Sequence, residues 1–141
     1  MKKLGIILII LAFISFSSNA QLRDSSYLKY KVYKNVKRAL NSKEDVFVLD
    51  LSHKHLRKLT ENIGKIKTLK VLDLQGNKIE SVPESPYVLN NLEVLILSNN
   101  NLDSIPHSIF KISSLKRLYL SRNNISAIPS QIISLTKLKS A

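Results

Sequence analysis

The chain has 141 residues, a formal net charge of +12 and no cysteine, which excludes disulfide bonds and a lipid attached to cysteine. Three glycines in the whole chain exclude a glycine-rich phosphate-binding loop. The charge would attract anionic partners, but no reading motif or base-stacking platform accompanies it, so nucleic acid is not expected.

Residues 1–20, MKKLGIILIILAFISFSSNA, are typical of a secretory signal peptide. Two lysines precede an apolar run from Leu4 to Phe16, and small residues end the segment. That run is short for a membrane span of about 20 residues, so an uncleaved anchor is the weaker alternative. We therefore predict cleavage after Ala20 and a product in the periplasm, on the cell surface or outside the cell, as in an exported bacterial protein.

Residues 21–45 carry apolar residues spaced by four, which predicts one amphipathic capping helix. The helix would begin at Ser25 or Ser26 and end at Asn41. We expect it to cover the open end of the core that follows, whereas attachment to a membrane surface is the alternative. Its apolar stripe consists of Leu28, Val32, Tyr33, Val36 and Leu40.

The same region is basic and rich in tyrosine. Residues 21–70 hold 13 Lys or Arg against 5 Asp or Glu, and residues 71–141 hold 7 against 5. A solvated surface is the simpler interpretation, and the alternative is a surface that holds anionic glycan or lipid. Among the tyrosines that recur every three residues, we expect Tyr33 to pack on the first repeat and Tyr27 and Tyr30 to be partly exposed.

From residue 46 the sequence repeats with a period of 23 residues. The stretches VFVLDLSHKHLRKLT, LKVLDLQGNKIESVP, LEVLILSNNNLDSIP and LKRLYLSRNNISAIP each begin one block. A fixed period of this length indicates a solenoid, in which each block stacks on the next. The four blocks are 46–68, 69–91, 92–114 and 115–137.

Leucines at places four and six of each block predict a short strand with one buried side, because alternate strand residues point the same way. Stacked strands then form a parallel sheet, and the second half of each block returns along the back of the same core. In the third block the apolar residues of that return are Leu102, Ile105, Ile109 and Ile112. The strand leucines are Leu49, Leu51, Leu72, Leu74, Leu95, Leu97, Leu118 and Leu120.

Asparagine occupies the ninth place of three blocks, as Asn77, Asn100 and Asn123. The chain leaves the strand there, and its buried backbone groups need hydrogen-bond partners. An asparagine side chain both donates and accepts, so a stack of asparagines can satisfy these groups. We therefore predict a structural ladder rather than a catalytic role.

These blocks resemble the leucine-rich repeat family, whose pattern LxxLxLxxNxLxxIPxxIxxLxx they match in register four times. Lys54 replaces the asparagine of the first block and Thr60 its proline, and Pro86 at the apolar eighteenth place predicts an irregular return in the second. The resemblance implies an α/β fold, a curved right-handed solenoid with its parallel sheet on the concave face. It also implies non-catalytic binding of proteins or other large ligands, without a cofactor.

Residues 138–141 begin a fifth block and leave it incomplete. The stretch SQIISLTKLKSA predicts a terminal helical turn with Lys137 and Lys139 facing outward. Otherwise an open edge of the core would remain, and self-association through it is an alternative, as is a truncated gene product.

The residues at places three, five, seven and eight of each block are expected to point outward onto the concave face. Exposed aromatic, arginine and apolar side chains in one area are typical of binding hot spots, although valines also follow β-strand preference. The second half of the face is the richer in such residues, and the first half carries two aspartates. The candidate partner-binding residues are Val94, Ile96, Arg117, Tyr119, Arg122, Asp50 and Asp73.

The sequence gives little support for a catalytic site or a metal site. His53 and His55 form an HxH pair near Asp50, but no further histidine or cysteine completes a tetrahedral site. Asp50 and Asp73 would lie about 4.8 Å apart on adjacent strands, yet an open face lacks the cleft that a glycosidase pair requires. No metal and no enzymatic activity are expected.

The sequence thus predicts a non-catalytic module that binds a protein through its concave face. One alternative is a cell-envelope or adhesion module that holds anionic glycan or lipid through its basic N-terminal half. Another is an intracellular signalling scaffold, because the repeats with Ile-Pro resemble those of proteins that dock small GTPases. The signal peptide argues against that scaffold.

Overall fold

A parallel sheet of five strands runs through the described part of the computed structural model, residues 26–82 and 89–139. Each strand pairs with the next along the chain. The predicted signal peptide and Pro86 lie outside the described residues. The strands are β1 Val32–Tyr33, β2 Val48–Asp50, β3 Val71–Asp73, β4 Val94–Ile96 and β5 Arg117–Tyr119.

The register of the sheet follows the sequence period. Val48 lies opposite Val71, Val71 opposite Val94, and Val94 opposite Arg117. Because each step is the 23-residue period, equivalent places of neighbouring blocks lie side by side. The prediction of a solenoid with a parallel sheet is therefore confirmed.

The leucines of places four and six form the main core. Leu49, Leu72 and Leu97 are almost fully buried, and Leu118 of the last strand is partly buried against the same cluster. The return of the third block is buried as predicted, at Leu102, Ile105, Ile109 and Ile112.

The return segments form short 3₁₀ helices, η1 Glu61–Lys65, η2 His107–Lys111 and η3 Ser130–Ser134. Pro106 and Pro129 immediately precede η2 and η3, where the missing N–H of proline costs no helical hydrogen bond. Thr60 replaces proline before η1, and its hydroxyl accepts a hydrogen bond of 3.4 Å from the Asn62 N–H. In the first block, the Thr60 side chain therefore caps the helix at the place where the other helices are preceded by proline.

Each ladder asparagine bridges its own block and the one before it. Asn100 Nδ2 donates to the carbonyls of Leu74 and Leu97, both at 3.0 Å, and its Oδ1 accepts from the Ile79 N–H at 3.0 Å. Asn77 and Asn123 make equivalent bonds one block away on either side. No repeat precedes the first block, so the ninth place has no earlier repeat to bridge there, and Lys54 is exposed.

The prediction of one helix from Ser25 or Ser26 to Asn41 is wrong. Residues 26–30 form a turn, β1 pairs with β2, and only α1, Val36–Leu40, is helical. The edge of β2 offers backbone partners to the chain, and this pairing prevails over the local helical period. Leu28 is consequently 73% exposed and Val32 48% exposed, although both belonged to the predicted buried stripe. Leu40 of the same stripe, at the end of α1, is 36% exposed.

Residues 33–42 agree better with the prediction of a helix that packs on the first repeat. Asn35 begins α1, and its side chain accepts from the Arg38 N–H, while Asn41 ends it. Tyr33 is buried in the main core with Ala39, and the hydroxyls of Tyr33 and Ser42 share a hydrogen bond of 2.7 Å. None of the helices in the described ranges has the length and apolar character to cross a bilayer.

At the other end, Lys139 N–H donates to the Lys116 carbonyl at 2.9 Å. Lys116 N–H donates to Glu93 in the same way, and Glu93 N–H to Lys70. Residue 139 therefore continues the series of equivalent places, and Lys137 and Lys139 are exposed as predicted. Self-association through this end stays a prediction.

Candidate functional site

Two columns of side chains cross the concave face, the side of the sheet opposite the leucine core. Strand register aligns the residues of place three and those of place five. Val94 and Ile96 therefore lie beside Arg117 and Tyr119, as the block pattern predicts. The columns are Val48, Val71, Val94 and Arg117, and Asp50, Asp73, Ile96 and Tyr119.

The expectation that the apolar residues of this face are exposed is wrong. Val94 is 2% exposed, Ile96 0% and Tyr119 9%. With Val48 and Val71 they form a second apolar cluster, separate from the leucine core, which we call the concave cluster. The aromatic side chains of Tyr27, Tyr30 and Phe47 pack against it. Arg117 is partly buried and Arg122 is exposed.

Tyr27 and Tyr30 belong to a turn on this face, which we call the aromatic turn, residues 27–30. The Tyr30 N–H donates to the Tyr27 carbonyl at 3.0 Å, which closes the turn. Both tyrosines, at its two ends, contact the concave cluster, whereas Leu28 and Lys29 between them are exposed. Their partial exposure was predicted, but their position on the sheet was not.

Glu93 fixes Tyr27 to the sheet. The Tyr27 hydroxyl donates to Glu93 Oε2 at 2.9 Å, and Lys116 Nζ donates to the same oxygen at 2.6 Å. Lys70 Nζ lies 3.7 Å from Glu93 Oε1. Partial burial alone would raise the pKa of Glu93, but the hydrogen bonds from Lys116 and Tyr27 and the nearby lysine charges lower it. Glu93 is therefore ionised at neutral pH.

Cations lie near the rings of this site. The Arg117 guanidinium is 5.8 Å from the centroid of the Tyr27 ring, within the range of a cation–π contact. The Tyr30 and Phe47 rings lie 4.5 Å apart in a tilted arrangement, and Lys70 Nζ is 5.9 Å from the first and 5.7 Å from the second. Phe47 and Glu93 were not predicted for this site, because both occupy place two of their blocks, which the repeat pattern does not assign to this face.

Asp50 and Asp73 lie opposite each other on β2 and β3, as predicted. Asp50 accepts hydrogen bonds from the Ser52 N–H and hydroxyl, and Asp73 accepts one from the Gln75 N–H. Burial raises the pKa of Asp73 to about 6, against the opposing effect of the Gln75 N–H, and the nearby Asp50 charge raises it further. His53 lowers it slightly.

Replacement of Asp73 with asparagine is expected to stabilise the protein at pH 7–8 by about 1–3 kcal/mol. The folded pKa of about 6 exceeds the ordinary 3.8. The stabilising contribution of protonated Asp73 is therefore complete below pH 3.8 and disappears as pH rises towards 6. Urea unfolding at pH 4–8 should show this decline in the native chain and not in Asp73→Asn. The exposed Asp103→Asn should keep the native profile; an unchanged profile for Asp73→Asn would contradict the burial effect.

Place eight has left-handed backbone in all four blocks, which was not predicted from the sequence. The φ angles are 54° at His53, 67° at Gly76, 58° at Asn99 and 56° at Arg122. The N–H of this place still donates to the next block, as from Gly76 to the Ser98 carbonyl at 3.1 Å. Glycine and asparagine tolerate this conformation best, so Gly76 and Asn99 were the available signal.

His53 lies over Gly76. A Cβ at Gly76 would contact the His53 ring, so glycine leaves the space that the imidazole occupies. His55, the second histidine of the HxH pair, also has left-handed backbone, with φ of 56°. Across the described ranges, no group of three His, Cys, Asp or Glu side chains is placed to hold a metal.

Gly76→Ala is expected to lower the free energy of unfolding by about 1–2 kcal/mol, because the left-handed conformation disfavours a Cβ. The His53 ring must also move, and adding His53→Ala should remove that steric part, so the double variant should be less destabilised than the sum of the two single variants. Urea unfolding of the three variants and of Gln75→Ala, at a place without positive φ, tests this. Native stability in Gly76→Ala would show that the assigned backbone conformation is wrong.

Two family models match the sequence. A model described as "Leucine rich repeat" matches residues 90–140, and one described as "Leucine Rich repeats (2 copies)" matches residues 67–111. Together they span more than half of the 141 residues. The chain belongs to the leucine-rich repeat family. Proteins built on leucine-rich repeats generally mediate protein–protein binding and are typically non-catalytic.

Among solved structures, this leucine-rich repeat chain is similar to a leucine-rich repeat protein of Leptospira interrogans. The sequence identity is 34% and the TM-score 0.61. The similarity covers 65% of this chain and 24% of that protein, so the chain spans about a quarter of its length. No curated protein matches the chain.

Proposed function

We propose that this leucine-rich repeat protein is a non-catalytic module that binds a protein partner through its concave face. The observation that carries the proposal is the concave cluster itself. The leucine core already stabilises one side of the sheet, and the apolar residues of the other side form a separate cluster that is not part of that core. Apolar residues at Val94, Ile96 and Tyr119 are therefore better explained by contact with other chain segments than by the needs of the core.

The composition around the cluster supports the same proposal. Arg117 borders it, and tyrosine and arginine are enriched among the residues that contribute most to protein interfaces. Glu93 is ionised at this border and supplies a hydrogen-bond acceptor. A protein segment with aromatic and polar groups would match such a surface.

The proposal is tested with three alanine substitutions, Ile96→Ala, Arg117→Ala and Tyr119→Ala, in one variant. Cell-envelope and extracellular fractions of the source organism are passed over the immobilised native chain and over the variant at low and high salt. A partner that the native chain retains at high salt and the variant loses supports concave-face recognition. Retention by the variant overturns it. Lys137→Ala, an exposed cationic position of the same block outside the concave face, is the control.

The variant must be checked for folding, because the structure changes one expectation. The sequence predicts an exposed Tyr119 whose replacement by alanine leaves stability nearly unchanged, but at 9% exposure its truncation should cost about 1–3 kcal/mol. Circular dichroism and urea unfolding of each single variant show which of them remain folded under the binding conditions. Where the triple variant unfolds, Arg117→Ala alone replaces it.

A second candidate is binding of anionic glycan or lipid by the basic N-terminal region. The observation in its favour is a series of exposed cations, although Lys31 forms an ion pair of 3.0 Å with Glu44. Capture that ignores the concave-face variant and disappears at high salt would favour this candidate, because exposed charges are screened by salt. The exposed cations are Lys29, Lys31, Lys34, Lys37, Arg38 and Lys43.

We further propose that the protein is exported and that residues 1–20 are removed. The lysines, apolar run and small residues of that segment support this. N-terminal sequencing of the protein purified from its source should give Gln21 as the first residue. An intact Met1 in a cytosolic fraction would instead favour the intracellular scaffold.

A further inference from the structure

The aromatic turn occupies the face to which the proposed function assigns the partner. We propose that the concave cluster is a recognition site for a tyrosine-bearing segment of a partner protein, and that residues 27–30 are its intramolecular occupant, which the partner displaces. This inference rests on the proposed function. It adds the chemistry of the partner and a competition that precedes binding.

The contacts of Tyr27 define what the site recognises. The ring packs against the concave cluster and lies beside the Arg117 guanidinium, and the hydroxyl donates to Glu93 at 2.9 Å. A phenylalanine in the same place would retain the ring contacts and leave the partly buried carboxylate short of one donor. Sites that hydrogen-bond a hydroxyl discriminate strongly against analogues that lack it. The site therefore prefers tyrosine to phenylalanine.

The charges around the site favour an acidic segment over the aromatic turn. Lys70 and Lys116 flank Glu93, and Arg117 lies beside Tyr27, so cations outnumber the carboxylate. The turn adds Lys29, whose Nζ is 5.2 Å from the Tyr30 ring, while Lys70 Nζ is 5.9 Å from the same ring. Like charges that share one ring repel each other. A partner with acidic residues beside its tyrosine would replace this repulsion with attraction.

The turn is placed so that it can leave without disturbing the core. It contacts the sheet through Tyr27 and Tyr30, while Leu28 and Lys29 point into solvent. The leucine core is a separate cluster on the other side of the sheet. Local opening of a short segment costs the contacts of that segment, not those of the whole domain.

Three fluorescent peptides test the proposal. The first copies residues 25–33, SSYLKYKVY. The second has glutamate in place of Lys29 and Lys31, and the third is this acidic peptide with phenylalanine in place of Tyr27. Each is titrated, with fluorescence anisotropy as readout, into the native chain, into Tyr27→Ala combined with Tyr30→Ala, and into that double variant with Glu93→Leu added, which removes the acceptor of the tyrosine hydroxyl.

We expect the acidic tyrosine peptide to bind the double variant about tenfold more tightly than it binds the native chain, whose own turn competes. The phenylalanine peptide should bind it several-fold more weakly, and Glu93→Leu, which has no acceptor, should remove this preference for tyrosine. The basic peptide should bind more weakly than the acidic one at low salt. Equal affinity of the native chain and the double variant for every peptide, or a tyrosine preference that survives Glu93→Leu, would overturn the inference.

Hydrogen exchange in the native chain is a second test, which is needed if the variant with Tyr27→Ala and Tyr30→Ala does not fold. In the native chain, a saturating amount of the acidic peptide should accelerate hydrogen exchange of the Tyr30 amide, which donates within the turn, and slow exchange in β4 and β5. Peptide that binds without faster exchange in the turn contradicts displacement. Failure of the inference is distinguishable from failure of the proposed function, because a partner lost on Arg117→Ala would still support the function when none of the peptides binds.

Discussion

Leu97→Ala is expected to lower the free energy of unfolding by about 2–5 kcal/mol, the range for leucine truncation in a protein core. Leu97 is 0% exposed and occupies place six of the third block, between the equivalent leucines Leu74 and Leu120. Truncation therefore leaves a cavity against both neighbouring blocks. In a solenoid, stability depends on contacts between adjacent repeats, so the loss should affect unfolding of the whole array.

Urea unfolding followed by circular dichroism measures this loss, since the chain contains no tryptophan. The matched control is Leu28→Ala, because Leu28 is 73% exposed at the tip of the aromatic turn. That control should change the free energy of unfolding by less than about 0.5 kcal/mol. Similar losses at Leu97 and Leu28 would show that the assignment of place six to the core is wrong.

Asn100→Ala is expected to cost about 3–5 kcal/mol, because several buried backbone groups lose their partner at once. The Asn100 side chain is 6% exposed and donates to the carbonyls of Leu74 and Leu97, while its oxygen accepts from the Ile79 N–H. Alanine offers neither donor nor acceptor. Unlike a cavity, an unsatisfied buried carbonyl cannot be relieved by closer packing of apolar neighbours.

Two variants make this result specific. Asn101→Ala changes the adjacent exposed asparagine and should leave the free energy of unfolding nearly unchanged. Asn100→Asp keeps the acceptor for Ile79 but loses the amide donor and buries a charge, so it should also be destabilised. A native-like urea midpoint for Asn100→Ala would mean that the ladder is not required for folding.

The expected effects of Leu97→Ala and Asn100→Ala indicate that different residues determine the stability of the protein and its binding of a partner. The leucine core and the asparagine ladder hold the strands in register, and register aligns Val94, Ile96, Arg117 and Tyr119 on the opposite side of the sheet. Damage to the core should therefore affect binding through loss of the fold. Changes at Arg117 or Glu93 should instead affect binding more than stability, since both lie at the border of the concave cluster.

The site could be predicted from the sequence only in part. The columns of the concave face follow from the 23-residue period, and the structure places Ile96 and Tyr119 side by side as the pattern requires. Their burial does not follow from the period. The contribution of Glu93 is also absent from the pattern, because its partner Tyr27 lies 66 residues away in sequence.

The N-terminal region shows most clearly what could not be predicted from the sequence. Apolar spacing by four predicts a helix through Leu28 and Val32, yet Val32 pairs with Val48 and only residues 36–40 are helical. A periodic pattern reports which local structure a segment favours in isolation. It does not report that the edge of a neighbouring strand offers hydrogen bonds that outweigh the preference.

The sequence by itself determined the features that each block repeats. These are the solenoid, the inward leucines and the asparagines at the ninth place, and they are readable because the same local chemistry recurs at one period. Only the tertiary structure decided the route of residues 26–33 and the burial of the concave cluster beneath Tyr27 and Tyr30. Those depend on contacts between a segment outside the repeats and strands far along the chain, for which no period exists.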